Sequence, residues 1–175
     1  IMADKVWPGT VELAKKHKAS GDAVWLVSAA PIELASIMAD RLGLDGALGT
    51  VSEIVDDRYT GHLASRPMHG SEKSEAVSRL ASENGWDLST CFAYSDSAND
   101  IPLLSLVGYP SAVNPDGALR THARDRGWPI HDFRREHLKA KAKPVGTTAL
   151  AVLGASVGLA VAVSRSRARR QATDA

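Results

Sequence analysis

The stretch Cys91-Phe-Ala-Tyr-Ser-Asp-Ser-Ala-Asn-Asp100 places a short apolar run directly before a polar loop with two aspartates. Residues 91–94 predict a buried strand, and residues 101–107 predict the helix that follows the loop. In open α/β sheets, ligands bind beyond the carboxyl ends of the strands, which is where this loop lies. The stretch therefore predicts an α/β domain with a polar site at this strand end.

The sequence on either side alternates strands with helices. The apolar run Ala23-Val-Trp-Leu-Val27 predicts a strand covered on both faces. The pattern further predicts strands at 109–113 and 128–132, a hairpin over 50–63, and helices over 8–20, 31–42, 71–84 and 115–127. This alternation favours a doubly wound parallel sheet with helices on both faces.

Charge divides the chain into an acidic body and a basic tail. Residues 1–133 carry 12 Lys and Arg against 18 Asp and Glu, whereas residues 134–175 carry 9 against 2. Basic tails often meet membranes or nucleic acid, but the acidic body favours no nucleic-acid partner. Cys91 is the only cysteine, which suits a reducing compartment and a buried structural role.

The tail contains an apolar segment, residues 145–163, which has 19 residues without a charge. As a helix it would span roughly 28 Å, close to the hydrocarbon thickness of a bilayer. We expect a transmembrane helix between a basic linker (134–144) and a basic tail (164–175), anchoring a cytoplasmic catalytic domain. The alternative is a mobile or interfacial Ala-rich helix. Gly154 and Gly158 match a weak pattern for helix dimers and would mediate a homodimer.

Asp96 and Asp100 are the candidate metal ligands of the polar loop. Magnesium prefers oxygen ligands and often shares them with a substrate phosphate. The alternative is a capped helix start, in which Ser97 or Asn99 bonds the backbone and the aspartates complement the helix dipole.

Ser28 and Lys73 are the candidate phosphate-binding residues upstream of this loop. Ser28 follows the strand 23–27 and precedes a helix that Pro31 opens, so it could contact a phosphate at a helix N-terminus. Lys73 lies in the first turn of a helix, where the dipole disfavours a cation, which suggests another task for its ammonium. The alternatives are a loop serine that satisfies local backbone and a solvated surface lysine.

The order of these residues resembles motifs II, III and IV of the haloacid dehalogenase (HAD) superfamily, in its phosphoserine-phosphatase-like branch. The resemblance covers residues 6–132. It rests on five stretches: Leu26-Val-Ser-Ala-Ala-Pro31, Tyr59-Thr-Gly61, Gly70-Ser-Glu-Lys73, Tyr94-Ser-Asp-Ser-Ala-Asn-Asp-Ile-Pro-Leu-Leu104 and Ala112-Val-Asn-Pro-Asp116.

The resemblance implies a role for each candidate residue. Ser28 would bind the transferring phosphoryl group, and Lys73, as a catalytic residue, would neutralise charge among the phosphate and the carboxylates. Asp96 would ligate Mg²⁺ directly, and Asp100 would support the metal site through water or Lys73. Asn99 would contact the phosphate or position the loop. The implied reaction is Mg²⁺-dependent hydrolysis of a small phosphorylated metabolite through an aspartyl-phosphate.

One departure from the family is large, because the DxDxT motif that supplies its nucleophile does not occur in this sequence. We therefore expect a fragment that lacks the central strand and the cap domain of a longer protein, and that is inactive alone. The competing hypotheses are a membrane-anchored regulatory protein with a degenerate phosphatase fold, and a phosphotransferase with the same chemistry. Ser95 is a minor departure, since a glycine often precedes the metal-binding aspartate in relatives.

Overall fold

The computed structural model describes residues 7–134 and 160–164, the latter as backbone only. Helices and strands alternate along the first range. The helices are α1 (Pro8–Ala19), α2 (Ile32–Leu42), α3 (Ser71–Glu83), α4 (Ile101–Leu104) and α5 (Gly117–Arg126). The strands are β1 (Ala23–Pro31), β2 (Gly46–Thr50), β3 (Ser52–Val55), β4 (Arg58–Leu63), β5 (Phe92–Ser95), β6 (Tyr109–Val113), β7 (Ile130–His131) and β8 (Ala160–Ser164).

Six of the strands form one sheet in the order β2-β1-β8-β5-β6-β7, and β3 pairs with β4 in a separate antiparallel hairpin. The β1–β2, β5–β6 and β6–β7 pairs are parallel. The predicted α/β class and the predicted hairpin are confirmed. Because β1, β5 and β6 run in one direction, their carboxyl ends meet at one edge of the sheet.

Successive residues of β1 show that helices cover both faces of the sheet. Leu26 packs with Ala35 and Ala39 of α2, whereas its neighbour Val27 packs with α3 and α4. Because adjacent strand residues point to opposite faces, the continuous apolar run in β1 contributes to one hydrophobic core on each face of the sheet. Both Leu26 and Val27 are almost fully buried. The expectation of a doubly wound sheet is confirmed for this part of the chain.

The middle of the sheet differs from the expected architecture. Strand β8 lies antiparallel between β1 and β5, with Ala162 opposite both Trp25 and Ala93. The sheet is therefore mixed, and the predicted helix over 145–163 is wrong for residues 160–163. The run Ala160-Val-Ala-Val163 has β-prone valines at alternate positions, and β1 and β5 present backbone groups that need partners.

The rest of the predicted C-terminal helix cannot be compared with the structure. Residues 145–159, with Gly154 and Gly158, lie outside the described residues, as do most of the basic linker and the end of the tail. Within the described ranges, no helix has both the length and the apolar character that a bilayer crossing needs.

Strand β2 is an element that the sequence pattern did not predict. It contains Gly46 and Gly49, which have low β propensity. A Cβ on Gly46 would lie 2.6 Å from the Trp25 ring, and one on Gly49 would lie 2.8 Å from Cα of Ile32. Close approach to β1 and to the start of α2 therefore requires glycine at these positions, and only the fold reveals this constraint.

Helix α1 is attached to the sheet by a buried polar chain that centres on His17. Its Nδ1 lies 2.8 Å from Oδ2 of Asp22, and its Nε2 lies 2.8 Å from the hydroxyl of Tyr94. The side chains of His17 and Asp22 are 12% and 4% exposed. Burial and the charge of Asp22 raise the pKa of Tyr94, so its hydroxyl keeps its proton.

Replacing Tyr94 with phenylalanine is expected to lower the free energy of unfolding by about 1–2 kcal/mol, because a buried ring nitrogen of His17 loses its partner. Urea denaturation of the 175-residue chain measures this loss. The matched control is Tyr109→Phe, since Tyr109 is 52% exposed and its change should stay within about 0.5 kcal/mol. Equal effects of the two substitutions would contradict a stabilising His17 network.

Candidate active site

A cavity of about 240 Å³ opens at the carboxyl ends of β1, β5 and β6. It is lined by Ala29, His69, Lys73, Asp96, Ser97, Asn99, Asp100, Asp116 and Arg134. Four of the predicted site residues, Lys73, Asp96, Asn99 and Asp100, are thus brought to one cavity although they are up to 27 positions apart in the sequence.

The innermost feature of the cavity is a buried ion pair between Lys73 and Asp100. The ammonium nitrogen lies 2.8 Å from Oδ1 and 2.9 Å from Oδ2 of the carboxylate. Lys73 is 4% exposed and Asp100 is fully buried. Charges at this depth are stable only when paired and hydrogen-bonded. The lysine that the dipole disfavours in the first turn of α3 therefore extends inward to a carboxylate.

Ser95 supplies a further hydrogen bond to this pair. Its hydroxyl donates to Oδ2 of Asp100 at 2.6 Å and accepts from the backbone N–H of Ser97 at 3.2 Å. The side chain is completely buried at the end of β5. Ser95, the position at which relatives often have glycine, thus joins the ion pair to the turn that carries Asp96.

Asp96 is the half-buried carboxylate of the cavity. Burial raises its pKa, and the negative charge of Asp100 adds to this, while the backbone N–H of Asp96 and then the charges of Arg134 and Lys73 oppose it. Within the described residues, its buried Oδ1 atom has no hydrogen-bond partner. A carboxylate oxygen in this state fits a hard cation such as Mg²⁺, which would replace the missing partner.

The described residues alone do not form a complete metal site. Among them, no cluster of three or more His, Cys, Asp or Glu side chains has the arrangement of a metal centre. Oδ1 of Asp100 also has no hydrogen-bond partner among the described residues, but it lies 2.8 Å from the Lys73 ammonium, so Asp96 is the carboxylate that has no counter-charge in contact with it. Magnesium commonly keeps several waters and takes only one or two protein carboxylates, so a single free carboxylate is compatible with it.

Asp116 holds the loop around Asp96 in place, and the sequence interpretation gave it no role of its own. Its Oδ2 accepts from the N–H of Ala98 at 2.8 Å, and its Oδ1 accepts from the N–H of Leu119, which caps α5. Its own N–H donates to the carbonyl of Asp96 at 2.8 Å. The available signal was its position after β6, directly before a helix.

Ser28 and Asn99 occupy different positions relative to the cavity. Asn99 is exposed and lines it, and its N–H donates to the hydroxyl of Ser97. Ser28 is buried, and its hydroxyl accepts from the N–H of Ala30 at 3.2 Å. The neighbouring Ala29 lines the cavity, whereas Ser28 is not among the lining residues. Ser28 here satisfies local backbone, as the alternative interpretation expected, and its phosphate-binding role stays a prediction.

His69 and Arg134 line the cavity but were not predicted to do so. His69 lies just before α3, in a segment that Thr50 attaches to β1. The Thr50 hydroxyl donates to the carbonyl of Ala29 at 2.8 Å and accepts from the N–H of Met68 at 3.1 Å. Arg134 follows β7 and lies 38 positions after Asp96, so no local sequence pattern connects it with the site.

Comparison with known proteins identifies the family of this chain. The sequence model of the haloacid dehalogenase-like hydrolases matches residues 1–105. The chain belongs to this family. The phosphoserine phosphatase SerB1 of Mycobacterium tuberculosis H37Rv is 49% identical to it over 170 residues, which is 97% of this chain and 54% of that protein. The chain spans about half the length of the curated relatives that it matches.

Solved structures extend the comparison of this HAD-family chain to three dimensions. A Bordetella pertussis Tohama I protein of unknown function is 34% identical, with a TM-score of 0.66, over 70% of this chain and 56% of that one. A phosphoserine phosphatase in its apo form is 26% identical, with a TM-score of 0.57, over 73% of this chain and 63% of that one. The relationship to the phosphoserine-phosphatase-like branch, inferred from the motifs, is confirmed.

Proposed function

We propose that the protein is a Mg²⁺-dependent phosphomonoester hydrolase that works through an aspartyl-phosphate intermediate. The observation that carries this proposal is the juxtaposition of a buried Lys73–Asp100 ion pair with Asp96, a half-buried carboxylate whose Oδ1 has no hydrogen-bond partner in the described part of the chain. The relationship to HAD-family phosphatases supports it.

The residues that line the cavity have different proposed roles. Asp96 would hold Mg²⁺, which supplies a positive charge next to the phosphoryl group. Lys73 adds a second charge at a fixed position, because it donates to Asp100, whose Oδ2 also accepts from the Ser95 hydroxyl. Fixed charges of this kind stabilise a transferring phosphoryl group without reorganisation during the reaction. Ser28 and Asn99 are proposed to contact the phosphate oxygens.

The attacking aspartate is proposed to lie outside these 175 residues. No DxDxT motif occurs within them, and none of the described aspartates follows an apolar strand in that pattern. The family resemblance places this motif on a central strand of the sheet, and in this chain β8 occupies the central position. The hydrolytic activity is therefore proposed for the natural full-length gene product.

The proposed substrate class is a small phosphorylated metabolite. A cavity of about 240 Å³ suits a small ester better than a macromolecule, and phosphoserine is the substrate named for one similar protein. The membrane anchor and the homodimer through Gly154 and Gly158 stay predictions.

The decisive experiment measures phosphate release from p-nitrophenyl phosphate by the full-length gene product. We expect turnover with Mg²⁺ and none with excess EDTA, and no turnover from residues 1–175 alone, because they lack the nucleophile. Hydrolysis by the 175-residue chain would contradict the missing-nucleophile argument. A full-length product without turnover would favour the regulatory alternative, and phosphoryl transfer to added alcohols would favour a phosphotransferase.

A further inference from the structure

Arg134 is held over the end of β6 by an unusual turn. Its Nη2 donates to the carbonyl of Asn114 at 2.7 Å. In return, the Asn114 side chain accepts from the N–H groups of Phe133 and Arg134 at 2.7 and 3.2 Å. Asn114 is 1% exposed and has a φ of 47°, a left-handed conformation that asparagine tolerates better than most residues. The guanidinium is thus fixed at the wall of the cavity.

Some of the charged side chains that line the cavity have no ion-pair partner within the described residues. Lys73 is neutralised by Asp100, and Asp116 is used in two backbone hydrogen bonds. The two other charged residues that line the cavity are Asp96 and Arg134. Over the ranges 7–134 and 160–164, neither belongs to an ion pair. The one side-chain hydrogen bond that Arg134 makes there goes to a neutral carbonyl. A guanidinium has five N–H donors, so most of them are available.

Asp96 and Arg134 line the same cavity. Within the described residues, no ion pair joins their side chains. An unpaired carboxylate and an unpaired guanidinium across one cavity are complementary to a ligand that presents a cation on one side and an oxyanion on the other.

We propose that Arg134 is a substrate-binding residue that contacts an oxyanion of the phosphorylated substrate. The inference rests on the proposed function and extends it, since it assigns Lys73 to the interior of the site and Arg134 to its outer wall. The oxyanion is either the phosphoryl group itself or a carboxylate on the alcohol. Arginine suits both, because its planar fork of donors matches either group with two parallel hydrogen bonds.

The test compares Arg134→Gln, Arg134→Lys and a matched control in the full-length gene product. The control is Arg124→Gln, which removes one exposed arginine of α5. Steady-state constants are measured with p-nitrophenyl phosphate, which has no carboxylate, and with phosphoserine, which has one. Inorganic phosphate serves as a competitive inhibitor, and its direct binding with Mg²⁺ is measured by calorimetry.

We expect Arg134→Gln to raise KM by about tenfold or more, the usual effect of losing a charge-assisted hydrogen bond, with kcat and the melting temperature less affected. Arg134→Lys should recover part of the loss, and Arg124→Gln should match the wild type. A higher KM for both esters and weaker phosphate binding would identify the phosphoryl group. A higher KM for phosphoserine alone would identify the carboxylate.

Two results would overturn the proposal. One is a KM and a phosphate affinity that Arg134→Gln leaves unchanged. The other is a lower melting temperature with equal losses in the glutamine and lysine variants, which would make Arg134 a structural clamp for Asn114. An inactive wild type that still binds phosphate through Arg134 would refute the hydrolase while leaving the anion contact in place.

Discussion

Asp96→Asn is expected to reduce turnover of the full-length gene product by at least about 1,000-fold, which corresponds to ~4 kcal/mol of lost charge stabilisation. The substitution keeps the shape of the side chain and removes the negative charge that would hold Mg²⁺. The assay is phosphate release at saturating Mg²⁺. The matched control is Asp125→Asn on the exposed face of α5, which should leave turnover unchanged. Turnover at the wild-type level in the Asp96 variant would refute the metal-ligand assignment.

The same substitution has a second expected effect, on the stability of the metal-free chain. The pKa of Asp96 is raised in the folded protein, mainly by burial, so the folded state binds this proton more tightly than the unfolded state does. The contribution of Asp96 to stability therefore declines as pH rises from the unfolded value of 3.8 through the raised value. At neutral pH, Asp96→Asn should raise the melting temperature by a degree or two, on the order of what a partly hydrated carboxylate costs.

With Mg²⁺ present, we expect the wild-type chain to melt at a higher temperature than the Asp96→Asn chain. In the wild type, Mg²⁺ binds the folded state and raises the melting temperature, whereas the Asp96→Asn chain should not respond. The response of the wild type should also weaken as pH falls through the raised pKa of Asp96, at a higher pH than for an ordinary aspartate. Scanning calorimetry with and without Mg²⁺ measures both effects, and an equal response of the two chains would place the metal elsewhere.

Lys73→Met is expected to destabilise the chain by about 3–5 kcal/mol, because it leaves the fully buried carboxylate of Asp100 without its counter-charge. Urea denaturation of the 175-residue chain measures this loss. The control is Lys15→Met, since Lys15 is 68% exposed and 3.6 Å from Glu12; surface pairs of this kind contribute about 0.5 kcal/mol or less. The full-length Lys73→Met variant should also lose turnover.

A second substitution separates lost charge balance from lost packing. Combining Lys73→Met with Asp100→Leu removes both buried charges and keeps the length of one side chain and the branching of the other, so most of the lost stability should return. Activity should not return, because the fixed positive charge beside the phosphate is still absent. If Lys73→Met alone costs less than about 1 kcal/mol, the pair is more hydrated than its 6% and 1% side-chain exposures indicate.

The sequence by itself determined the α/β class, most element positions and several residues that line the candidate cavity. Local signals are sufficient for the fold class, because a continuous apolar run such as Ala23-Val-Trp-Leu-Val27 is typical of a strand that has helices on both faces of its sheet. Lys73, Asp96 and Asp100 were also identifiable, since each lies beside a strand end or a helix start, where ligands bind in such sheets. Their order along the chain indicated the family.

Only the tertiary structure decided that Arg134 lines the cavity and which strand lies at the centre of the sheet. Arg134 reaches the cavity because β6 and β7 bring a distant segment to this edge of the sheet, and no local pattern encodes that approach. Strand β8 was predicted as a helix, since its composition suits either state. Its pairing depends on the backbone groups that β1 and β5 present, a long-range hydrogen-bonding requirement that the periodicity of its own residues does not contain.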